Sequence, residues 1–191
     1  MYYNKNMESI DKAFYEMQRA NFLPEYSRKY SNIDKALPIE FGQTNSQPST
    51  VRKMLEWLDA KQGDKILDVG SGSGWSTALL ASITGPNGKV FAVEKISELV
   101  NFGRSNCKKL AITNVRFFRS GKIYGLPEYA PFDRILVSAA AQKLPNELLS
   151  QLKIGGKLVI PVKNDILEIS KISNIKNKII KHAGFVFVPL V

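Results

Sequence analysis

The segment Asp68-Val69-Gly70-Ser71-Gly72-Ser73-Gly74, with Glu94 downstream, carries the clearest chemical signature in this chain. It follows the apolar run Lys65-Ile66-Leu67, which reads as a buried strand, and precedes Trp75 to Ile83, which reads as a helix. Strand, glycine-rich turn, helix and an acid after the next strand form a unit able to cradle a nucleotide. Glycines let the backbone approach the ligand, and a carboxylate can accept hydrogen bonds from ribose hydroxyls. The spacing is Gly-x-Gly-x-Gly, not the Gly-x-Gly-x-x-Gly of dinucleotide-binding turns, and Asp68 stands two residues before the first glycine. The plainer alternative is a tight glycine turn of any α/β protein.

A second segment, Gly42-Gln43-Thr44-Asn45-Ser46-Gln47-Pro48-Ser49, is polar and precedes a helix start. It reads as a capping turn, with Ser46 or Gln47 near the N-cap. It reads equally as hydroxyls and backbone N–H groups at a helix N-terminus, suited to an anion such as a carboxylate. Cys107, the single cysteine, lies on the core face of a helix with Leu99, Gly103 and Leu110, and reads as a buried structural thiol. His182, the single histidine, falls in the tail and reads as structural or exposed.

Elements must position these groups. Ile10, Ala13, Phe14 and Met17 follow helical spacing, and the chain then breaks at Leu23-Pro24-Glu25. A polar, tyrosine-rich connection leads to Leu37-Pro38-Ile39. Val51, Met54, Leu55 and Leu58 mark a second amphipathic helix, with Pro48 suited to its first turn. From Asp64 strands and helices alternate. Strands are expected at Lys65 to Val69, Lys89 to Val93, Val115 to Phe118, Arg134 to Val137 and Lys157 to Val162. Helices are expected at Trp75 to Ile83, Ser97 to Leu110 and Pro145 to Leu152, with turns at Gly85-Pro86-Asn87-Gly88 and Ile154-Gly155-Gly156. This pattern implies an α/β fold, a mainly parallel sheet covered on both faces. Ile166 to Ser173 and Ile179 to Pro189 read as a closing antiparallel hairpin, because the short link Asn174 to Lys178 cannot carry a parallel crossover. In such a sheet ligands sit beyond the carboxyl ends of the strands. Asp68 to Gly74, Glu94, Ser120 to Lys122 and Ser138 to Ala141 all lie at such ends, so four separated segments converge on one crevice.

The 191 residues suffice for one domain, with 1–60 as an N-terminal helical and substrate-loop segment and 61–191 as the core. Hydrophobic content is 44%, ordinary for a globular chain, and no apolar run could span a bilayer, so no membrane partner is expected. The N-terminus shows no apolar secretory region, and one cysteine fits a reducing compartment; the expected location is the cytoplasm. Net charge is +10. From Lys153 to His182 seven lysines face one aspartate and one glutamate, which supplies half of that charge. A lysine-rich sheet edge explains the stretch as well as a nucleic-acid patch does.

Further motifs occur in order: Leu37-Pro38-Ile39, Gly42-Gln43-Thr44-Asn45-Ser46-Gln47-Pro48, Leu67 to Gly74, Ala130-Pro131-Phe132-Asp133, Ala139-Ala140-Ala141, Gln151 to Val162 and Phe187-Val188-Pro189-Leu190. The glycine turn resembles the S-adenosylmethionine (SAM) site of class I methyltransferases, which share a Rossmann-like fold. Together the motifs closely resemble the protein-L-isoaspartate O-methyltransferase family, from about Phe14 to the C-terminus. The Gly-Gln-Thr-x-Ser-Gln-Pro segment is the most family-specific piece. The resemblance implies methyl transfer from SAM to the α-carboxylate of an isoaspartyl residue in damaged proteins, followed by spontaneous closure to a succinimide. It implies Ser46 as the active-site serine, Asp68, Gly70, Gly72 and Gly74 as the first SAM motif, and Glu94 as the ribose acid. It also implies Ser120 and Gly121 on the cofactor side, Thr44 and Ala139 beside Ser46 on the substrate side, and no metal.

Two positions depart from the family pattern. Ser120-Gly121-Lys122 stands where the family has Gly-Asp-Gly, so the aspartate that fixes the adenine side is missing. Lys163 follows Ile160-Pro161-Val162 where the family tends to have glycine. The first bears on cofactor affinity and the second on substrate access. Two other readings share the fold. The charge of +10 suggests an RNA methyltransferase, but there is neither an Asn/Asp-Pro-Pro-aromatic motif nor a cysteine at a strand end. Gly121 suggests a non-catalytic SAM-fold binding protein.

Overall fold

The computed structural model describes residues 5–190. Helix α1 spans Lys5–Glu16, followed by a 3-10 turn at Arg19–Phe22 and the short α2 at Glu25–Arg28. Strands β1 (Leu37–Glu40) and β2 (Gln43–Asn45) form a small antiparallel hairpin ahead of α3 (Pro48–Leu58). The core then runs β3 (Lys65–Val69), α4 (Trp75–Thr84), β4 (Lys89–Glu94), α5 (Ser97–Lys109), β5 (Val115–Arg119), β6 (Phe132–Val137) and α6 (Asn146–Gln151). It closes with β7 (Leu152–Val162), β8 (Asp165–Lys171) and β9 (Asn177–Ala183).

The main sheet has seven strands in the order β5-β4-β3-β6-β7-β8-β9. Pairing is parallel from β5 to β7 and antiparallel across β7, β8 and β9. Chain order runs outward from β3 through β4 to β5, then returns to the other side of β3 with β6. The switch point therefore lies between the carboxyl ends of β3 and β6, where open α/β sheets hold ligands.

Alternation along the strands divides the core. Ile66, Val90, Leu136, Val159 and Ile166 enter one cluster with Ile10 of α1, Val51 and Leu55 of α3, Leu79 of α4 and Cys107 of α5. Leu67, Phe91, Ile135, Leu158 and Ile169 enter a second cluster with Leu148 of α6 on the other face. Period-2 side chains from a two-sided buried sheet produce this division, and burial on both faces explains why the strands read as continuous apolar runs.

Three sequence expectations require correction. The stretch from Leu37 to Asn45, for which the sequence suggests no strand, forms the β1–β2 hairpin, whose turn takes positive φ at Glu40, Phe41 and Gly42. Ile154-Gly155-Gly156 is not a turn: β7 already begins at Leu152, and the register against β6 shifts between Phe132 and Arg134, with Gly155 at φ +83°. The second tail strand ends at Ala183 rather than Pro189. At Gly184 (φ +91°) the chain leaves the sheet edge, and Pro189 forms an isolated bridge with Ala140. Small, flexible glycine permits both irregularities, and alternation alone does not reveal them.

The lysine-rich tail is largely committed to the sheet. Lys153 pairs with Asp133, Lys157 with Glu168 and Lys181 with Asp165. Buried Lys171 donates to the carbonyls of Leu149 and Leu152. His182 stacks on Trp57 at 3.7 Å and lies 3.4 Å from a Glu168 oxygen. β9 is an edge strand, where lysines oppose pairing with another chain.

Candidate active site

The carboxyl end of β3 delivers the glycine loop. The N–H groups of Gly70 and Ser71 donate to Val93 O at 2.9 and 3.1 Å, which pins the loop against β4. Gly70, Gly72 and Gly74 adopt φ of +76°, +49° and +85°. L side chains rarely adopt these values, which is the local reason for glycine at alternate positions. Gly74 has a second reason: a Cβ there would meet the backbone of Gly103 at 3.0 Å, so it sets the approach of α4 to α5. Asn106 of α5 donates to Ser73 O, and Cys107 Sγ lies 3.8 Å from Gly74 O. Burial pushes the Cys107 thiol up to about 12, so it stays protonated and structural.

Glu94, at the end of β4, accepts from three backbone N–H groups: Gly72 on Oε2 at 3.0 Å, and Lys95 and Ile96 on Oε1 at 2.7 and 3.0 Å. It is buried, and it ties the glycine loop to the start of α5. Oε2, with one bond, keeps acceptor capacity toward the cavity. Asp68 sits wholly buried beneath the loop, where Oδ2 accepts from Ser76 Oγ at 2.8 Å and Thr77 Oγ1 at 2.6 Å. Burial raises its pKa to about 6; the two hydroxyls oppose the shift and the charge of Glu94 adds to it. Asp68 Oδ1 and Ser71 Oγ are buried without a partner among the described residues.

These groups surround a cavity of about 300 Å³. Gly70, Gly72, Glu94, Ser120 and Gly121 line it from the sheet, with Ser138 and Ala139 from the end of β6. Thr44 and Ser46 line it from the opposite wall, together with Ile39, Asn45 and the terminal Val188 to Leu190. Asp68 and Gly74 do not line it: one lies beneath the loop and the other faces α5. Ser46 also borders an adjoining recess with Thr44, Ser138 and residues 184–188. A Cβ at Gly121 would meet nothing within 4 Å, so the missing acid leaves open space there.

The Ser46 segment is held by a residue that the sequence patterns did not single out. Arg19 is buried, and its guanidinium donates to Asn45 Oδ1 (2.7 Å), Asn45 O (2.9 Å), Ser46 O (2.9 Å), Lys35 O (2.7 Å) and Ile33 O (3.0 Å). Its five fixed donors match this set of acceptors. Desolvation lowers its pKa to about 10, partly offset by the charge of Asp34, so it stays cationic at neutral pH. Asn45 Nδ2 donates onward to Ser73 Oγ at 3.0 Å, linking the segment to the glycine loop.

At the other end of the segment Asp34 accepts from Ser49 N–H at 2.9 Å and Gln47 Nε2 at 3.0 Å. The Ser49 backbone bond chiefly holds its pKa below the usual carboxylate range. The N-cap of α3 is Gln47, whose side chain makes no capping bond. Asp34 thus places a carboxylate of the chain itself against this helix N-terminus. The only sequence signal for either clamp was an arginine and an aspartate in polar surroundings.

The comparisons with known proteins bear on this geometry. Residues 3–191 match the family model described as protein-L-isoaspartate(D-aspartate) O-methyltransferase. The chain belongs to this family. A protein-L-isoaspartate O-methyltransferase of Pyrococcus horikoshii is 40% identical over 189 residues, covering 96% of this chain and 85% of that protein. A solved protein-L-isoaspartate O-methyltransferase superposes with a TM-score of 0.89 at 27% identity, covering 98% of this chain and 62% of the other. A second solved structure, from Plasmodium falciparum and described as a complex with S-adenosyl-L-homocysteine, gives a TM-score of 0.83 at 28% identity, covering 96% and 90%. The fold is the Rossmann-like class I methyltransferase fold, closed by the antiparallel β8–β9 hairpin.

The cavity suits SAM on its own terms. Positive-φ glycines open its floor, Glu94 offers an acceptor, and Ser71 Oγ is a buried lining hydroxyl without a partner. No helix of the described residues is long and apolar enough to cross a membrane.

Proposed function

We propose that Ser46 orients the α-carboxylate of an L-isoaspartyl residue for methylation, with Thr44 and Ala139 beside it and the glycine loop and Glu94 holding the cofactor. The chain is a SAM-dependent carboxyl methyltransferase acting on isoaspartyl residues of damaged proteins, as its family membership establishes. The observation that carries the assignment of roles is the single cavity lined on one wall by Thr44 and Ser46 and on the other by Gly70, Gly72 and Glu94.

SAM, when bound, supplies an electrophilic methyl group on a sulfonium leaving group. The chain needs no general base for this reaction, because a carboxylate with a reference pKa near ~4 is ionised at neutral pH. Its task is alignment: the nucleophile must sit roughly 3–3.5 Å from the methyl carbon and in line with the sulfur. Ser46, with its carbonyl fixed by Arg19, presents a hydroxyl from a braced backbone. Ile39, Val51 and Trp75 line the same cavity and limit water, which strengthens the carboxylate as a nucleophile. Gly70, Gly72, Glu94, Ser120 and Gly121 support the cofactor, and Asp68 and Gly74 support the loop from behind.

The test is methyl transfer by Ser46→Ala to an isoaspartyl peptide, its aspartyl twin and bulk RNA. Turnover on the isoaspartyl peptide should fall on the order of a hundredfold, the cost of misplacing a nucleophile by ~1 Å, while SAM affinity stays near wild type. Wild-type turnover in the folded variant reduces Ser46 to a loop residue. Transfer to RNA in preference to the peptide would favour the RNA reading, against which the committed lysines of β7 to β9 already weigh. The lone buried thiol supports a cytoplasmic location.

A further inference from the structure

The cavity crosses the carboxyl ends of four neighbouring strands. Ser138 and Ala139 follow β6, Gly70 to Gly72 follow β3, Glu94 ends β4, and Ser120 to Gly125 follow β5. Ser138 also borders the recess beside Ser46, so the substrate end is the β6 end. A Cβ at Gly72 would meet Ile39 Cδ1 at 3.2 Å, and Asn45 bonds Ser73, so the β1–β2 hairpin lies close over the glycine loop. A cofactor whose ribose meets Glu94 and whose sulfonium faces Ser46 therefore turns its base toward the β5 end.

That end is anchored at two points and open between them. Ser120 N–H donates to Glu94 O at 2.9 Å. Buried Gln151 of α6 pins the far side: Nε2 donates to Tyr124 O at 2.7 Å, and Oε1 accepts from Leu126 N–H at 2.7 Å. Between these anchors Gly121, Lys122 and Ile123 make no backbone hydrogen bond to the other described residues. Gly121 to Tyr124 are all exposed. Gly121 stays out of the left-handed region that holds Gly70, Gly72 and Gly74, so its backbone does not demand glycine. A Cβ there would meet nothing within 4 Å. Glu94 is the only acid among the residues that line the cavity, and three backbone N–H groups already engage it. Ile123 and Tyr124 bring apolar and aromatic surface to the lining.

We propose that the β5 end grips the cofactor's base by its faces and leaves the base's amino edge open to solvent at Gly121, so that the protein accepts cofactors enlarged at that amine. The proposal rests on the SAM reading of the cavity and concerns which relatives of SAM fit it. A site built to hydrogen-bond a ligand's amine rejects an analogue without that bond by on the order of 10⁴-fold, because its own buried polar groups lose their partner. No carboxylate stands at the β5 end to make such a bond. Contact with an aromatic face tolerates changes at the edge, since every base presents a π-face. With no side chain at Gly121, a substituent on the amine passes outward instead of meeting a wall.

Calorimetric titration with S-adenosyl-L-homocysteine and with its N6-benzyl derivative reads this without any turnover. The two dissociation constants for wild type should agree within about tenfold. Gly121→Leu, verified as folded by circular dichroism, puts a branched side chain into the open space and should raise the ratio of the two constants by about tenfold or more. Tyr124→Ser should weaken both ligands alike, by about tenfold, through loss of the aromatic face. A derivative that wild type binds more than about tenfold more weakly than the parent overturns the proposal, because Ser120 or the loop backbone then encloses the amine. An unchanged ratio in Gly121→Leu overturns the assignment of the opening to Gly121. Unchanged affinities in Tyr124→Ser overturn the grip on the faces. If S-adenosyl-L-homocysteine itself does not bind, the SAM reading of the cavity is rejected and the proposal falls with it.

Discussion

The two walls of the cavity are built by different means. The cofactor wall is local in origin: Gly70 to Gly74 follow β3 directly, and Glu94 ends the next strand, β4. Parallel pairing of β3 with β4 brings them together with no help from distant chain. The substrate wall is assembled from afar. Ser46 depends on Arg19, 27 positions away, and the recess beside it is closed by residues 184–188 at the other end of the chain. One wall is a motif and the other is a convergence. Asn45 joins them through its bond to Ser73. Mutations in the cofactor wall should therefore act on SAM affinity, and those in the substrate wall on turnover.

The largest expected effect tests the first half of this contrast. Gly72→Val should abolish SAM binding in a folded protein, read by calorimetric titration. A β-branched residue at φ +49° is strained, and its Cβ would sit 3.2 Å from Ile39 Cδ1. Retained affinity would remove the loop from the cofactor site.

Arg19→Lys probes the bridge between the walls. Lysine offers three donors where five acceptors wait, and each buried acceptor left unmade costs roughly 1–3 kcal/mol. Denaturant unfolding should show a loss of about 3 kcal/mol. Turnover of the folded variant should fall about tenfold, because the Ser46 backbone loosens and positioning is sensitive to small shifts. A change in SAM affinity as large as that in turnover would show that the two walls act as one unit.

Glu94→Ala should weaken SAM binding by about 1.5–3 kcal/mol, the range for a hydrogen bond to a charged group. Turnover at saturating SAM should stay near wild type. If turnover falls instead, the acid serves the substrate wall as well.

The last effect is on stability alone and concerns Asp68. Its folded pKa of about 6 stands above the ordinary aspartate value of 3.8. The native state thus holds a proton that the unfolded chain releases between these values. This contribution to stability is present at low pH and is lost as pH rises through 6, about 3 kcal/mol. Asp34 and Asp133, with lowered values, act in the opposite sense. The contribution therefore appears only as a difference: the stability of wild type relative to Asp68→Asn should fall as pH rises over this window.

The same contrast governs what could be read in advance. β3, α4, β4 and α5 were legible because apolar runs, glycines and helical spacing are local signals. The β1–β2 hairpin was not, since its strands are only four and three residues long and its turn carries positive φ on Glu40 and Phe41 rather than on glycine alone. The bulge at Gly155 and the departure at Gly184 look like turn and strand in the sequence, because glycine marks flexibility without saying how it is used. Gly74 and Asp68 belong to the glycine-rich motif, but only the folded chain shows that one packs on Gly103 and the other lies under the loop.

By itself the sequence determined the alternation that makes a parallel sheet, the conformations that glycine permits after β3, and the acid after β4. These depend on side-chain type and short spacing. Only the tertiary structure decided that Arg19 and Asp34 grip the ends of the Ser46 segment, and that residues 184–188 wall the recess beside it. It also decided which lysines of the tail are paired with acids. Each of these depends on partners far apart in the chain, whose meeting is set by burial and hydrogen-bond satisfaction across the whole fold.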